Sequence, residues 1–140
     1  MLEIKSLSID PVAAEEGTWA SFMGAKFLIA RHNSDRANQL RSTLTLERWE
    51  EITANDDNAH QLARQIGTKV LAEAVLLDWK DVGDKGEELK YTAEVGYTYL
   101  IAPRFRDLVQ FIENYSMNRA NYRERAEAEI ADSVKSTAVS

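Results

Sequence analysis

The stretch AHQLARQIGTKVLAEAVLLDW, residues 59–79, decides the fold. Leu62, Ile66, Val70 and Leu77 recur at helical spacing, and Leu71 and Val75 widen the stripe. Apolar residues every three to four positions put one greasy face on a helix, and that face has to be buried. The spacing predicts a core-facing helix over 59–79. Upstream, Thr53 to Asn58 is a polar break. Before it, Asn33 or Ser34 can cap a helix running to about Ile52, with Leu40, Leu44 and Trp49 as its stripe.

Working outward to the start of the chain, the pattern turns to strands. Leu2 to Ile9 is rich in aliphatic residues and is closed by Asp10-Pro11. Val12 to Gly17 reads as a polar connection. Thr18–Phe22 and Lys26–Arg31 read as a hairpin around Met23-Gly24-Ala25, since glycine enters the positive-φ region at little cost. Towards the other end, Asp78 to Tyr91 is a charged loop with Gly83 and Gly86. Thr92 caps a short helix ending near Ala102, and Pro103 opens the next, where its missing amide hydrogen is not needed. Phe105, Leu108, Ile112 and Tyr115, then Tyr122, Ala126 and Ile130, form the stripe of a long amphipathic helix. The predicted fold is α+β, mainly α. A small N-terminal antiparallel β unit (1–32) precedes a helical bundle (33–135) with a long C-terminal helix and a flexible tail (136–140), all in one domain over 1–140.

Composition narrows the function. The 140 residues are 44 % hydrophobic and 29 % charged, with a net charge of −6, which opposes a general nucleic-acid binder. No apolar run approaches the roughly 20 residues that cross a bilayer, and the opening residues lack the apolar centre of a signal peptide. Cysteine is absent, so thiolate sites and disulfides are excluded. The two histidines, His32 and His60, sit in different elements and lack metal-ligand spacing. The carboxylate pairs Glu15-Glu16, Glu50-Glu51, Asp56-Asp57 and Glu87-Glu88 are neighbours in sequence. Adjacent side chains point apart, so none is an acid/base pair by spacing. The loop from Asp81 to Glu87 lacks alternating oxygen ligands and carries Lys85 at its middle. Arg104, Arg106, Arg119, Arg123 and Arg125 interleave with aromatics, but Asp107, Glu113, Glu124, Glu127 and Glu129 share the stretch. Mixed charge of this kind marks a solvated helix face. The expectation is a protein without catalytic residues, cofactor or metal, and without nucleic-acid or membrane partners.

Surface for protein partners remains. Aromatic side chains bury much area with few rotors. Trp79, Tyr91, Tyr97, Phe105, Phe111 and Tyr115 are the candidate partner-binding residues, Phe111 because it falls off the main stripe of its helix. Stripes at helical spacing usually pack inward, so core or self-association is the other use open to them.

Order and spacing of short motifs resemble a family. Asp10-Pro11, then Glu15-Glu16-Gly17-Thr18-Trp19, then Phe27-Leu28-Ile29-Ala30-Arg31 follow one another. Leu76-Leu77-Asp78-Trp79, Asp84-Lys85-Gly86-Glu87, Tyr91-Thr92-Ala93-Glu94 and Arg104-Phe105-Arg106-Asp107-Leu108 come after them. In that order they resemble the tail assembly chaperones of long-tailed phages, over nearly the whole chain. Gly96-Tyr97-Thr98-Tyr99 departs from the small residues common there. The resemblance implies a chaperone that binds the long, mainly helical tape measure protein and keeps it soluble until tail tube subunits polymerise around it. It also implies a longer, frameshifted form that recruits the tail tube protein, residence in the host cytoplasm, and absence from the mature virion. The alternative is a structural head-tail connector or tail completion protein.

Overall fold

Residues 1–123 are described in the computed structural model of the chain. The predicted first strand is replaced by a 3₁₀ turn, Ile4–Leu7, and only Ile9 joins a ladder, as an isolated bridge to Arg123. Local bonding wins there: the Ser6 amide and hydroxyl both donate to Glu3 O, at 3.0 and 2.7 Å. The predicted polar connection is a short helix, α1 (Pro11–Glu16). Asp10 Oδ1 accepts from the amides of Val12 and Ala13, and proline occupies the first turn, so Asp10-Pro11 starts a helix instead of ending a strand.

The hairpin is β1 (Thr18–Phe22) and β2 (Ala25–Ile29), joined by Met23 and Gly24, both at positive φ, the geometry that matches strand twist in a two-residue turn. Ser34 caps α2 (Asp35–Glu47) by accepting from the Ala37 amide at 3.1 Å. The Glu15 carboxylate adds a second cap from α1, accepting from the Asp35 and Arg36 amides at 2.7 and 3.1 Å. The predicted helix to Ile52 is interrupted at Arg48 and resumes as α3 (Trp49–Thr53). The break takes Trp49 off the stripe and leaves it exposed. Asp56 then caps α4 (Asp57–Val70) through the Ala59 amide.

The largest correction concerns residues 59–79. The α-helix ends at Val70, widens into a π turn over Leu71–Val75, and becomes a strand, β3 (Leu76–Lys80). β3 pairs antiparallel with β2, Phe27 opposite Trp79 and Ile29 opposite Leu76, giving the sheet order β1-β2-β3. Without β3 the apolar strand β2 would be an open edge. Pairing that edge overrides the helical spacing of Leu77, which periodicity alone cannot overrule in a short apolar run. The β unit is therefore not confined to the first 32 residues.

Part of the predicted loop after β3 is a small hairpin, β4 (Gly83–Asp84) with β5 (Glu87–Glu88). Thr92 caps α5 (Ala93–Leu100) as expected. A 3₁₀ turn, Pro103–Phe105, leads into α6 (Arg106–Met117). The predicted long C-terminal helix stops there. Asn118 turns its side chain onto the Ala120 amide, and Arg119–Tyr122 is a 3₁₀ turn. Tyr122 folds back into full burial and donates to Ile29 O at 2.9 Å. Hydrogen bonding to β2 and burial of a whole aromatic ring outweigh one more helical turn. Ala126, Ile130 and the predicted tail 136–140 lie outside the described residues.

The core joins the sheet to the helices through Ile29, Val70, Leu76, Leu100 and Ile112. The described fold is α+β, mainly helical, with small antiparallel sheets.

Candidate partner-binding surfaces

Most of the aromatic candidates lie on a spine of rings inside the fold. Tyr122 meets Tyr115 at 6.1 Å, Tyr115 meets Phe111 at 6.1 Å, and Phe111 meets Phe27 at 6.1 Å. Phe27 meets Trp79 at 6.3 Å, Trp79 meets Tyr99 at 6.4 Å, and Tyr99 meets Phe105 at 5.3 Å. Phe111 leaves its helix stripe because it stacks on Phe22 of the hairpin, with 4.4 Å between ring centroids and 10° between planes. Trp79 is buried, and its indole N–H donates to Leu89 O at 2.6 Å. The Tyr115 and Thr18 hydroxyls lie 2.7 Å apart. These rings spend much of their area holding α6 and β3 to the hairpin.

Tyr91 has a specialised structural task. A change from α to π winding, and then to strand, leaves carbonyls without helical partners. The Tyr91 hydroxyl donates to two of them, Ala72 O and Leu76 O, the latter at 3.0 Å. Burial, then the nearby carboxylates of Glu73 and Asp78, push this phenol well above its ordinary range. Its ring lies across Gly96 of α5: a Cβ there would come within 2.5 Å of the Tyr91 hydroxyl. Tyr122 is raised in the same direction, chiefly by burial and next by Tyr115.

Tyr97 points elsewhere. It helps line an open groove of about 650 Å³ between α2, α4 and α5. Leu44, Leu62 and Ile66 make the apolar floor, and Glu47, Arg48, Lys69 and Glu94 stand on the rim. With Glu73, the lining carries three acidic and two basic side chains beside its apolar residues. The opposite face of α4 borders a second recess, about 450 Å³, between α4, α2 and α6. Val70, Leu71, Val109 and Met117 give it apolar walls, while Arg41, Arg64 and Arg106 stand around it with Glu113. The α4 spacing contained these two faces, with Leu62 and Ile66 towards one and Arg64, Gly67 and Leu71 towards the other. Spacing alone merges them into a single core stripe. An interior helical glycine at Gly67 was the signal that something else was present.

His32 Nδ1 lies 3.2 Å from Ser116 O, and His60 Nε2 lies 3.0 Å from Asn55 Oδ1. Among the described residues, no three His, Cys, Asp or Glu side chains gather as metal ligands. No described helix is long and apolar enough to cross a membrane.

Residues 29–133 match the family model described as YdaY prophage protein. The match begins at the last residue of β2 and takes in both faces of α4, so the two recesses lie within it. The motifs Asp10-Pro11 and Glu15 to Trp19 lie outside it. No curated protein and no solved structure matches the chain. A match over most of the length, across the core and every helix that borders the recesses, shows that the chain belongs to the YdaY prophage protein family.

Proposed function

We propose that this prophage protein is a tail assembly chaperone without catalytic activity, and that it holds helical segments of the tape measure protein in the groove between α2, α4 and α5. The observation that carries the reading is that groove: Leu44, Leu62, Ile66 and Tyr97 inside a rim of both charges. Family membership supports a phage role, and the ordered motifs resembling tail chaperones support this one. A tape measure is a long chain with apolar stripes that aggregate unless covered. Burying three or four partner side chains gives about 1.5–3 kcal/mol each. Association costs about 4–15 kcal/mol in lost freedom. A single groove therefore binds weakly, and many copies along one chain supply avidity while remaining displaceable. In this reading the protein works in the host cytoplasm, is absent from the mature virion, and reaches the tail tube protein through a longer frameshifted form.

Co-expression with the tape measure protein tests it. The tape measure should stay soluble with the wild-type chain and precipitate with Leu62→Asp or Tyr97→Ala. A tape measure equally soluble alone rejects the chaperone role. Recovery of this chain from purified virions at fixed stoichiometry would instead favour a head-tail connector or tail completion protein.

A further inference from the structure

We propose that the recess between α2, α4 and α6 is a second binding site, and that its occupant is an acidic amphipathic helix of a partner protein, seated with carboxylates towards Arg41, Arg64 and Arg106. Two independent features carry this. The first is charge. On a chain with a net charge of −6, three arginines and a single glutamate border one recess. Each guanidinium has five N–H donors in a planar fork suited to carboxylates. Arg64 donates to Ile101 O at 2.6 Å, and Arg41 donates to His32 O and Asn38 Oδ1. Among the described residues no carboxylate forms an ion pair with any of the three, and the Arg106 guanidinium has no hydrogen bond.

The second feature is Gly67. Glycine inside a helix is costly because it frees the unfolded backbone. Gly67 has ordinary negative-φ helical backbone, and nothing lies within 4 Å of where its Cβ would be. The fold gives no packing reason for a glycine at this place. Gly67 lines the recess, on the same face as Arg64 and Leu71, and the missing side chain lets an occupant approach the α4 backbone closely. Small residues serve this purpose wherever helices pack at short distance. The apolar walls then receive the occupant's greasy face. No Phe, Tyr or Trp ring lines the recess, and its one aromatic side chain, His32, is held against Ser116 O at 3.2 Å, so a protein helix fits better than a nucleic acid. The site is separate from the groove of the proposed chaperone role and does not rest on that reading.

The test uses the full chain and two synthetic helical peptides with the same Leu/Ala face. One carries Glu on its polar side and the other carries Gln. Fluorescence anisotropy should show the Glu peptide bound about tenfold more tightly, a difference that salt erodes. Arg106→Gln and Arg64→Gln together should remove the preference. Arg106→Gln alone should reduce it, which keeps the test valid if the double variant folds poorly. Gly67→Leu should abolish binding of both peptides while leaving the circular dichroism spectrum helical. Trp49→Ala, at an exposed residue of α3 outside both recesses, should leave peptide binding unchanged. Equal affinity for the two peptides, or unchanged binding by Gly67→Leu, overturns the proposal. So does displacement of the Glu peptide by a single-stranded oligonucleotide at lower concentration than by unlabelled peptide. Tighter peptide binding after neutralising Glu124, Glu127 and Glu129 would assign the recess to the chain's own acidic stretch, and also overturns it.

Discussion

Gly67 and Gly96 sit inside two helices, and the same residue type does opposite work in them. At Gly96 the fold itself forbids a side chain. The Tyr91 ring crosses α5 there, and a Cβ would lie 2.5–2.8 Å from three of its atoms. At Gly67 nothing in the fold competes for the space. A helical glycine costs about 1 kcal/mol relative to alanine at either place. The cost at Gly96 is offset by a ring whose hydroxyl serves the Ala72 carbonyl of the π turn and the Leu76 carbonyl at the start of β3. The cost at Gly67 is offset by nothing inside the protein. One glycine is explained by folding, and the other asks for an explanation from outside the chain.

Removing the ring should break the comparison most strongly. Tyr91→Ala should destabilise the protein by about 3 kcal/mol, the low end for losing a packed aromatic side chain, with the Ala72 and Leu76 carbonyls left short of a donor. Chemical denaturation would measure it. Gly96→Ala comes next, at about 1–3 kcal/mol, the usual cost of forcing extra volume into packed space. The ring cannot retreat cheaply, because its hydroxyl is bonded to two carbonyls and it packs against Trp79 in a T-shaped contact, with 4.8 Å between ring centroids. The pair should couple. In a Tyr91→Ala background, Gly96→Ala should cost nothing or stabilise, and a double-mutant cycle reads that directly. If Gly96→Ala costs the same in both backgrounds, the ring is not the reason for the glycine.

The alkaline limb sharpens the same point at smaller amplitude. Tyr91 and Tyr122 have folded-state pKa values raised by burial above the ordinary phenol value of 10.0. A raised folded pKa means that the folded state holds its proton longer than the unfolded one. The associated stability is complete below pH 10 and is lost as pH climbs above it. Denaturant midpoints measured across that range should fall more steeply for the wild type than for Tyr91→Phe or Tyr122→Phe. Parallel limbs would show that neither hydroxyl is held in its neutral form by the fold.

How far the sequence could be read follows from which interactions were local. The Ser34 and Thr92 caps, the Met23-Gly24 turn and the start of α4 near Asp56 all act within a few residues, and spacing or composition marks them. The course of 71–80 was not legible. Leu76 and Leu77 fit a helix as well as a strand, and only the open edge of β2, far away in sequence, decides between the two. The end of α6 was hidden for the same reason, since Tyr122 is claimed by Ile29 O across the fold. Among the candidate residues, the density of aromatics was visible but their destination was not. Rings spaced for a helix surface became a spine through the core, because the hairpin residues Phe22 and Phe27 meet them there. Arg106 reads from the sequence as part of a mixed-charge helix face, and its nearness to Arg41 and Arg64 follows only from the packing of α2, α4 and α6.

The smallest expected effect is the most informative. Gly67→Ala should stabilise the isolated protein, by about 0.5–1 kcal/mol, because alanine is the better helix former and its methyl meets open space. The same methyl should weaken whatever seats itself in the recess, so stability and binding should move in opposite directions. That opposition distinguishes a functional glycine from a neutral one. A glycine tolerated by chance would give the stability gain and leave affinity untouched. A glycine needed by the fold, like Gly96, would lose stability. Thermal melts of the free chain, set beside peptide anisotropy on the same samples, separate the three outcomes, and only a gain in stability paired with a loss in affinity fits a site on α4 kept bare for a partner.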